Sequence, residues 1–187
     1  MVLTGSLVRL RPPRLEDAHA IVANIADPVV VRHLGTWAWN PYSLEDFAGF
    51  IGGAGSRDLL WAVEALEDGA CVGMTGLDRI DHQRRHCWWG IHIGPPSRWG
   101  RGYGTEACLL ATRHALRDLG LEKVCLYVYE GNERGRRAYE RCGYRLEGTL
   151  RRDTLLDGEL VTKYVMAAFR DHPLYAAGSA RKRGPGR

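Results

Sequence analysis

The strongest constraint on the fold is a change of rhythm near the middle of the chain. Residues 59–66, 70–80 and 86–93 are apolar runs joined by short polar turns. The first turn is Glu67-Asp68-Gly69, and Asp-Gly is a strong hairpin signal because it accepts the positive φ values such turns need. Three strands in a row predict an antiparallel meander. Then the period changes. Cys108, Ala111, Ala115 and Leu119 recur at helical spacing over 105–119, and Gly120 stands where a helix-ending glycine belongs. Residues 123–129 predict a short buried strand, 133–142 a helix closed by Gly143, and 144–150 and 160–169 two strands around Asp157-Gly158.

The first third supplies flanking pieces. Residues 6–11 alternate as a strand and stop at Pro12-Pro13; residues 17–26 predict a helix ended by Asp27-Pro28. Ser43, followed by Glu45-Asp46, opens a second helix to about Ile51. The order is strand, two helices, three strands, helix, strand, helix, two strands, with no internal repeat. One mixed α/β domain accounts for it. At 187 residues such a domain buries roughly 70% of its unfolded surface and needs no disulfide or metal staple. The five cysteines are scattered, with no C-x-x-C pair; this argues against a disulfide framework or a zinc site and fits a reducing cytoplasm. The first ten residues hold no apolar run suited to a signal peptide, and no stretch approaches the roughly 18 apolar residues of a membrane span. Formal charge is +4, but Arg181, Lys182, Arg183 and Arg187 account for all of that excess. The basic character belongs to a Gly/Pro/Ser-containing tail over 176–187 that is expected to be disordered. A neutral body over 1–175 gives no reason to expect a nucleic-acid partner.

The most informative segment lies between a predicted strand and a predicted helix: Arg98-Trp99-Gly100-Arg101-Gly102-Tyr103-Gly104-Thr105. Alternating glycines let the backbone approach a ligand and turn its N–H groups inward. The following helix adds unpaired N–H groups and a partial positive charge, and Arg101 adds a full one. This is a diphosphate cradle. A P-loop needs Gly-Lys-Ser/Thr, which is absent; a dinucleotide fingerprint needs a third glycine where Thr105 stands. The diphosphate of coenzyme A is the third candidate, and a plain glycine-rich turn is the alternative to all three.

Downstream residues make a resemblance specific. Ile93-Gly94-Pro95 with the loop through Glu106-Ala107 is similar to the acetyl-CoA loop of the GNAT N-acetyltransferases, and most closely to their RimJ/RimL branch. Tyr129-Glu130-Gly131-Asn132-Glu133-Arg134, Ala138-Tyr139-Glu140-Arg141-Cys142-Gly143-Tyr144, Leu146-Glu147-Gly148-Thr149-Leu150-Arg151 and Asp157-Gly158 follow in the branch's order and spacing. The opening Leu7-Val8-Arg9-Leu10-Arg11 also resembles its first strand. The resemblance spans about residues 6–170. It implies an α+β GNAT fold: a mixed sheet of about six to seven strands, helices on both faces, and two parallel strands that splay apart. Those strands would be 86–93 and 123–129. The pantetheine arm would pair with the edge at Ile91, His92 and Ile93, and the diphosphate would rest on Trp99, Gly100, Arg101, Gly102, Tyr103, Gly104 and Thr105. Asn132 resembles the asparagine that faces the cofactor, although an N-cap is an equally natural role for it.

Acetyl transfer to an amine requires a neutral amine, hydrogen-bond donors for the developing oxyanion, and a proton donor for the thiolate. Tyr139 is in register with the family tyrosine assigned as that acid, and a packed core aromatic is its other reading. Where branch members often carry a strand glutamate, Trp88 stands here. His92, Glu64, Asp78 and a water chain are the remaining candidates for a base, and none is singled out. Gly135 replaces a serine common in the branch, which weakens any claim to its ribosomal-protein activity, and Trp99 replaces a Gln or Arg. Trp37, Trp39 and Tyr42 can line an acceptor site for an amine or pack a loop onto the core. The expected activity is acetyl-CoA-dependent N-acetylation of a peptide N-terminus or a small amine such as a polyamine. A non-catalytic acyl-CoA-binding module is the alternative, and a homodimer is expected.

Overall fold

The computed structural model describes residues 1–34, 43–52 and 59–176. Its eight strands are β1 (Leu3–Thr4), β2 (Val8–Arg11), β3 (Leu59–Ala65), β4 (Cys71–Asp81), β5 (His86–Ile93), β6 (Lys123–Tyr129), β7 (Arg145–Leu156) and β8 (Glu159–Phe169). They form one sheet in the order β1-β2-β3-β4-β5-β6-β8-β7. All neighbours are antiparallel except β5 and β6, which run parallel. The helices are α1 (Ala18–Ala26), α2 (Pro28–Val31), α3 (Leu44–Gly52), α4 (Tyr103–Arg113) and α5 (Glu133–Arg141).

The mixed α/β expectation holds, with eight strands instead of six or seven. The extra one is β1, whose two residues pair Leu3 with Leu10 and Thr4 with Arg9; so short a strand leaves no pattern. β7 runs six residues past the expected end, because register shifts after Leu146 and Leu150 break its alternation and most of it is exposed. Helix α4 begins two residues early, since left-handed Gly102 (φ 87°) serves as its N-cap. Asp27-Pro28 ends α1 and also starts α2: Asp27 accepts hydrogen bonds from the amides of Val29 (2.8 Å) and Val30 (3.3 Å).

Each face of the sheet buries its own layer. Ala107, Cys108 and Ala111 present small side chains along α4, and Ala115 continues the row just past its end, which lets this stretch settle against Cys87, Trp89, Val124 and Leu126. On the opposite face Ala18 and Ile21 of α1 meet Phe47 of α3 and Met74 of β4. Each large apolar side chain buried in these layers contributes roughly 2 kcal/mol. At the start of α1 lies a buried ionic knot. Arg11 donates to both oxygens of Asp17 (2.7 and 2.8 Å) and through Nε to Glu64 (2.5 Å). Burial alone would raise the Asp17 pKa, but the Arg11 guanidinium and the Arg14 amide hold it below the usual range.

Candidate active site

Strands β5 and β6 pair only through His86–Lys123, Cys87–Val124 and Trp88–Cys125. Beyond that point each follows its other neighbour, β5 staying with β4 as far as Ile93–Gly73 and β6 with β8 as far as Tyr129–Lys163. Residues 89–93 and 126–129 therefore part, and a cleft of about 700 Å³ opens between them. An edge freed in this way offers N–H and C=O groups to an extended chain laid alongside it.

The glycine loop follows β5 and leads into α4. Gly100 and Gly102 take positive φ (78° and 87°), which only glycine adopts without strain. The first backbone bond of α4 runs from the Glu106 amide to the Gly102 carbonyl (3.0 Å), and Gly102 supplies no side-chain cap. The amides of Tyr103, Gly104 and Thr105 are thus the open donors of a helix N-terminus. A Cβ at Gly100 would meet nothing within 4 Å, so the loop is open to space at that glycine. This fits a diphosphate.

Two carboxylates outside the loop hold it in place. Glu67, in the β3–β4 turn, accepts hydrogen bonds from Arg98 (3.0 Å), Arg101 (2.8 Å) and the Tyr103 hydroxyl (2.6 Å). The Tyr103 bond, with Arg101 beside it, lowers the Glu67 pKa. Arg101 therefore brings a charge that Glu67 already balances, and the Tyr103 side chain is buried in the core, leaving its backbone amide to the loop. Glu106 accepts from the Ser6 amide and hydroxyl (2.8 and 2.6 Å) and from the amides of Leu7 (2.6 Å) and Val8 (2.7 Å). It ties α4 to β2. The sequence showed Glu67 only as part of a turn and Glu106 only as part of the loop motif; the partners of both lie far away in the chain.

Trp99 joins three elements. Its indole N–H donates to the Ile93 carbonyl (2.5 Å), and the Arg134 guanidinium lies 3.4 Å from its ring centroid. Asn132 takes the N-cap role: its Oδ1 accepts the Gly135 amide at the start of α5 (3.0 Å), and the residue also lines the cleft. A Cβ at position 135 would fall 2.8 Å from the Asn132 side-chain amide, so the bare Gly135 suits this cap.

Tyr139 lines the cleft from α5 and packs edge-on against Trp89, with centroids 5.5 Å apart. Burial, reinforced by Cys108 and Cys142, pushes its pKa up, so the phenol stays protonated. Ile91 and His92 line the same space. Burial lowers the His92 pKa from 6.5 to about 4, and its Nε2 has no hydrogen-bond partner. Glu64 is committed to Arg9 and Arg11. Trp88, which fills the glutamate position, stacks on Tyr127 at 4.2 Å. Trp37, Trp39 and Tyr42 lie outside the described residues, as does the tail from residue 177.

Known proteins are similar to this chain in sequence and in fold. A model of the acetyltransferase (GNAT) domain matches residues 8–145. A Bacillus subtilis (strain 168) protein named as a ribosomal N-acetyltransferase, YdaF, is 31% identical over 134 residues, covering 68% of this chain and 73% of that protein. Spermidine N(1)-acetyltransferase of Escherichia coli (strain K12) is 30% identical over 102 residues, 54% of each chain. The solved structure of Mycobacterium smegmatis RimJ in complex with CoA-disulfide superimposes with a TM-score of 0.78 at 25% identity, over 92% of this chain and 86% of that one.

Proposed function

The chain belongs to the GNAT acetyltransferases, and on that premise we propose that a primary amine attacks the donor directly in the β5–β6 cleft, with Tyr139 as the proton donor. N-acetyltransferase activity with acetyl-CoA as acyl donor follows from the family. The observation that carries the proposal is the parting of β5 and β6 beside an uncapped, glycine-led helix. Acetyl-CoA supplies an acetyl thioester, and this chain supplies the means to hold and discharge it. In this reading the amides of residues 100–105 hold the diphosphate. The edge at Ile91, His92 and Ile93 lines up the extended arm, with Trp99 and Asn132 as its flanks. Tyr139, kept protonated by burial, holds a proton where a thiolate departs. The incoming amine arrives from the α1–α3 side after losing its proton to solvent, since the candidate base Glu64 is held by Arg9 and Arg11.

The acceptor in this reading is a peptide N-terminus or a small amine; YdaF and the spermidine enzyme stand for these two classes. Trp37, Trp39 and Tyr42 remain assigned to the acceptor side. The proposal also covers one acetyltransferase domain over 1–175 with a separate basic tail, acting as a homodimer in the cytoplasm. The free cysteines among the described residues suit that compartment. The test is thiol release from acetyl-CoA against peptides, polyamines, amino acids and aminoglycosides. Tyr139→Phe should lower kcat by about a hundredfold while acetyl-CoA still raises the melting temperature. Unchanged turnover in Tyr139→Phe would remove the tyrosine from the mechanism.

A further inference from the structure

The three donors that bind Glu67 all converge on one of its oxygens. Oε1 accepts Arg98 Nη1 at 3.0 Å, Arg101 Nη1 at 2.8 Å and the Tyr103 hydroxyl at 2.6 Å. Two of these donors are fixed by other means. Arg98 also donates through Nη2 to Asp68 (2.6 Å), and the Tyr103 ring is packed in the core. Arg101 differs from both. Its side chain is 48% exposed, and among the described residues it is paired with Glu67 alone. If Arg101 left that oxygen, Glu67 would still be bonded to Arg98 and Tyr103.

The side-chain charges here cancel, with Arg98 and Arg101 set against Glu67 and Asp68. A diphosphate arriving at the amides of residues 100–105 therefore gains no net attraction from them while all four stay paired. Arg101, however, has its own backbone in that loop, between Gly100 and Gly102, and its guanidinium rides on a long stem. Reaching the ligand takes rotation of one side chain and no movement of the loop. The exchange is also favourable. An exposed ion pair is weak because water and salt screen both partners, whereas a guanidinium on a phosphate makes charge-assisted bonds, frequently two at once. Resting on the reading that this loop holds the diphosphate, we infer that Glu67 sets the affinity for the acyl donor by competing with the diphosphate for Arg101. In the free chain Glu67 holds Arg101. With the donor bound, Arg101 turns to the diphosphate, and Arg98 and Tyr103 keep Glu67 and the loop in register. Glu67 is thus a positioning residue that acts on the ligand only through Arg101.

An anchor and a competitor predict opposite signs. Removing an anchor weakens binding; removing a competitor strengthens it. Calorimetry with CoA as the probe measures Kd for the full-length wild type, Glu67→Gln, Arg101→Gln, the double variant and Gly102→Glu, with urea unfolding to confirm that each is folded. Glu67 is 49% exposed, and Gln keeps an acceptor oxygen for Arg98 and Tyr103. Glu67→Gln should bind CoA about threefold to tenfold more tightly, and Arg101→Gln several-fold more weakly. In the Arg101→Gln background the Glu67 change should move Kd by less than about twofold, because no arginine is left to release. A Kd unchanged or raised by Glu67→Gln, or unmoved by Arg101→Gln, would overturn the inference and leave Glu67 as an anchor only. An equal gain with and without Arg101 would overturn it as well, since Glu67 would then act by plain charge repulsion. Loss of binding in Gly102→Glu alongside either of those results leaves the loop reading standing. Retained binding in Gly102→Glu would remove the loop as the diphosphate site, and the inference would fall with it.

Discussion

Acidification should expose how dry the floor of the cleft is. His92 ionises at 6.5 in a free chain, and burial without a partner lowers it to about 4 in the fold. Between those values the unfolded chain binds a proton that the folded chain refuses, so stability falls as pH falls through the window. Above 6.5 both states are neutral and the penalty vanishes; below about 4 it is complete. One proton is worth about 1.4 kcal/mol per pH unit, so the whole gap amounts to roughly 3 kcal/mol, with roughly 2 kcal/mol lost by pH 5. The assay is urea unfolding of the wild type and His92→Leu at pH 7, 6 and 5, with the difference taken at each pH. Other groups, including half-buried His33, whose pKa burial also lowers, titrate in both proteins and cancel. The difference should move by about 2 kcal/mol in favour of the variant between pH 7 and 5. A flat difference would mean that His92 ionises as in water, so that the cleft around it is wet.

Three other outcomes follow from packing and charge. Gly102→Glu places a Cβ 3.0 Å from Leu7 Cδ1 on a residue at φ 87° and puts negative charge at the helix N-terminus; acetyl-CoA should then no longer raise the melting temperature, and a retained shift would dismiss the loop as the diphosphate site. Arg11→Met leaves Asp17, 3% exposed, with only the Arg14 amide and Glu64, 11% exposed, with only Arg9, and should cost about 3 kcal/mol in urea unfolding; a loss below about 1 kcal/mol would show that the knot is solvated. Glu106→Ala leaves the amides of Ser6, Leu7 and Val8 without their acceptor and should cost about 2 kcal/mol, whereas an unchanged unfolding midpoint would show that water replaces the carboxylate freely.

The sequence alone determined what local chemistry can determine. The apolar runs marked β3 to β6 to within a residue or so at each end, because a buried strand cannot hide its hydrocarbon, and Asp157-Gly158 marked the last hairpin because few other pairs accept its turn. The glycines at 100 and 102 announced a loop that needs left-handed backbone, and the order of motifs around them identified the family. Tertiary structure decided everything that depends on residues distant in the chain. Glu67 looked like a turn acid until the β3–β4 hairpin tip was laid against Arg98, Arg101 and Tyr103. Glu64 looked free until β2 brought Arg9 and Arg11 beside it. His92 alternates with its neighbours like any strand residue, and only the parting of β5 from β6, together with the helices packed over that face, made it a buried and unpartnered imidazole. The physical reason is that backbone preference and burial pattern are properties of a few consecutive residues. Charge balance, desolvation and the shape of a cleft belong to side chains that meet only after the sheet is assembled.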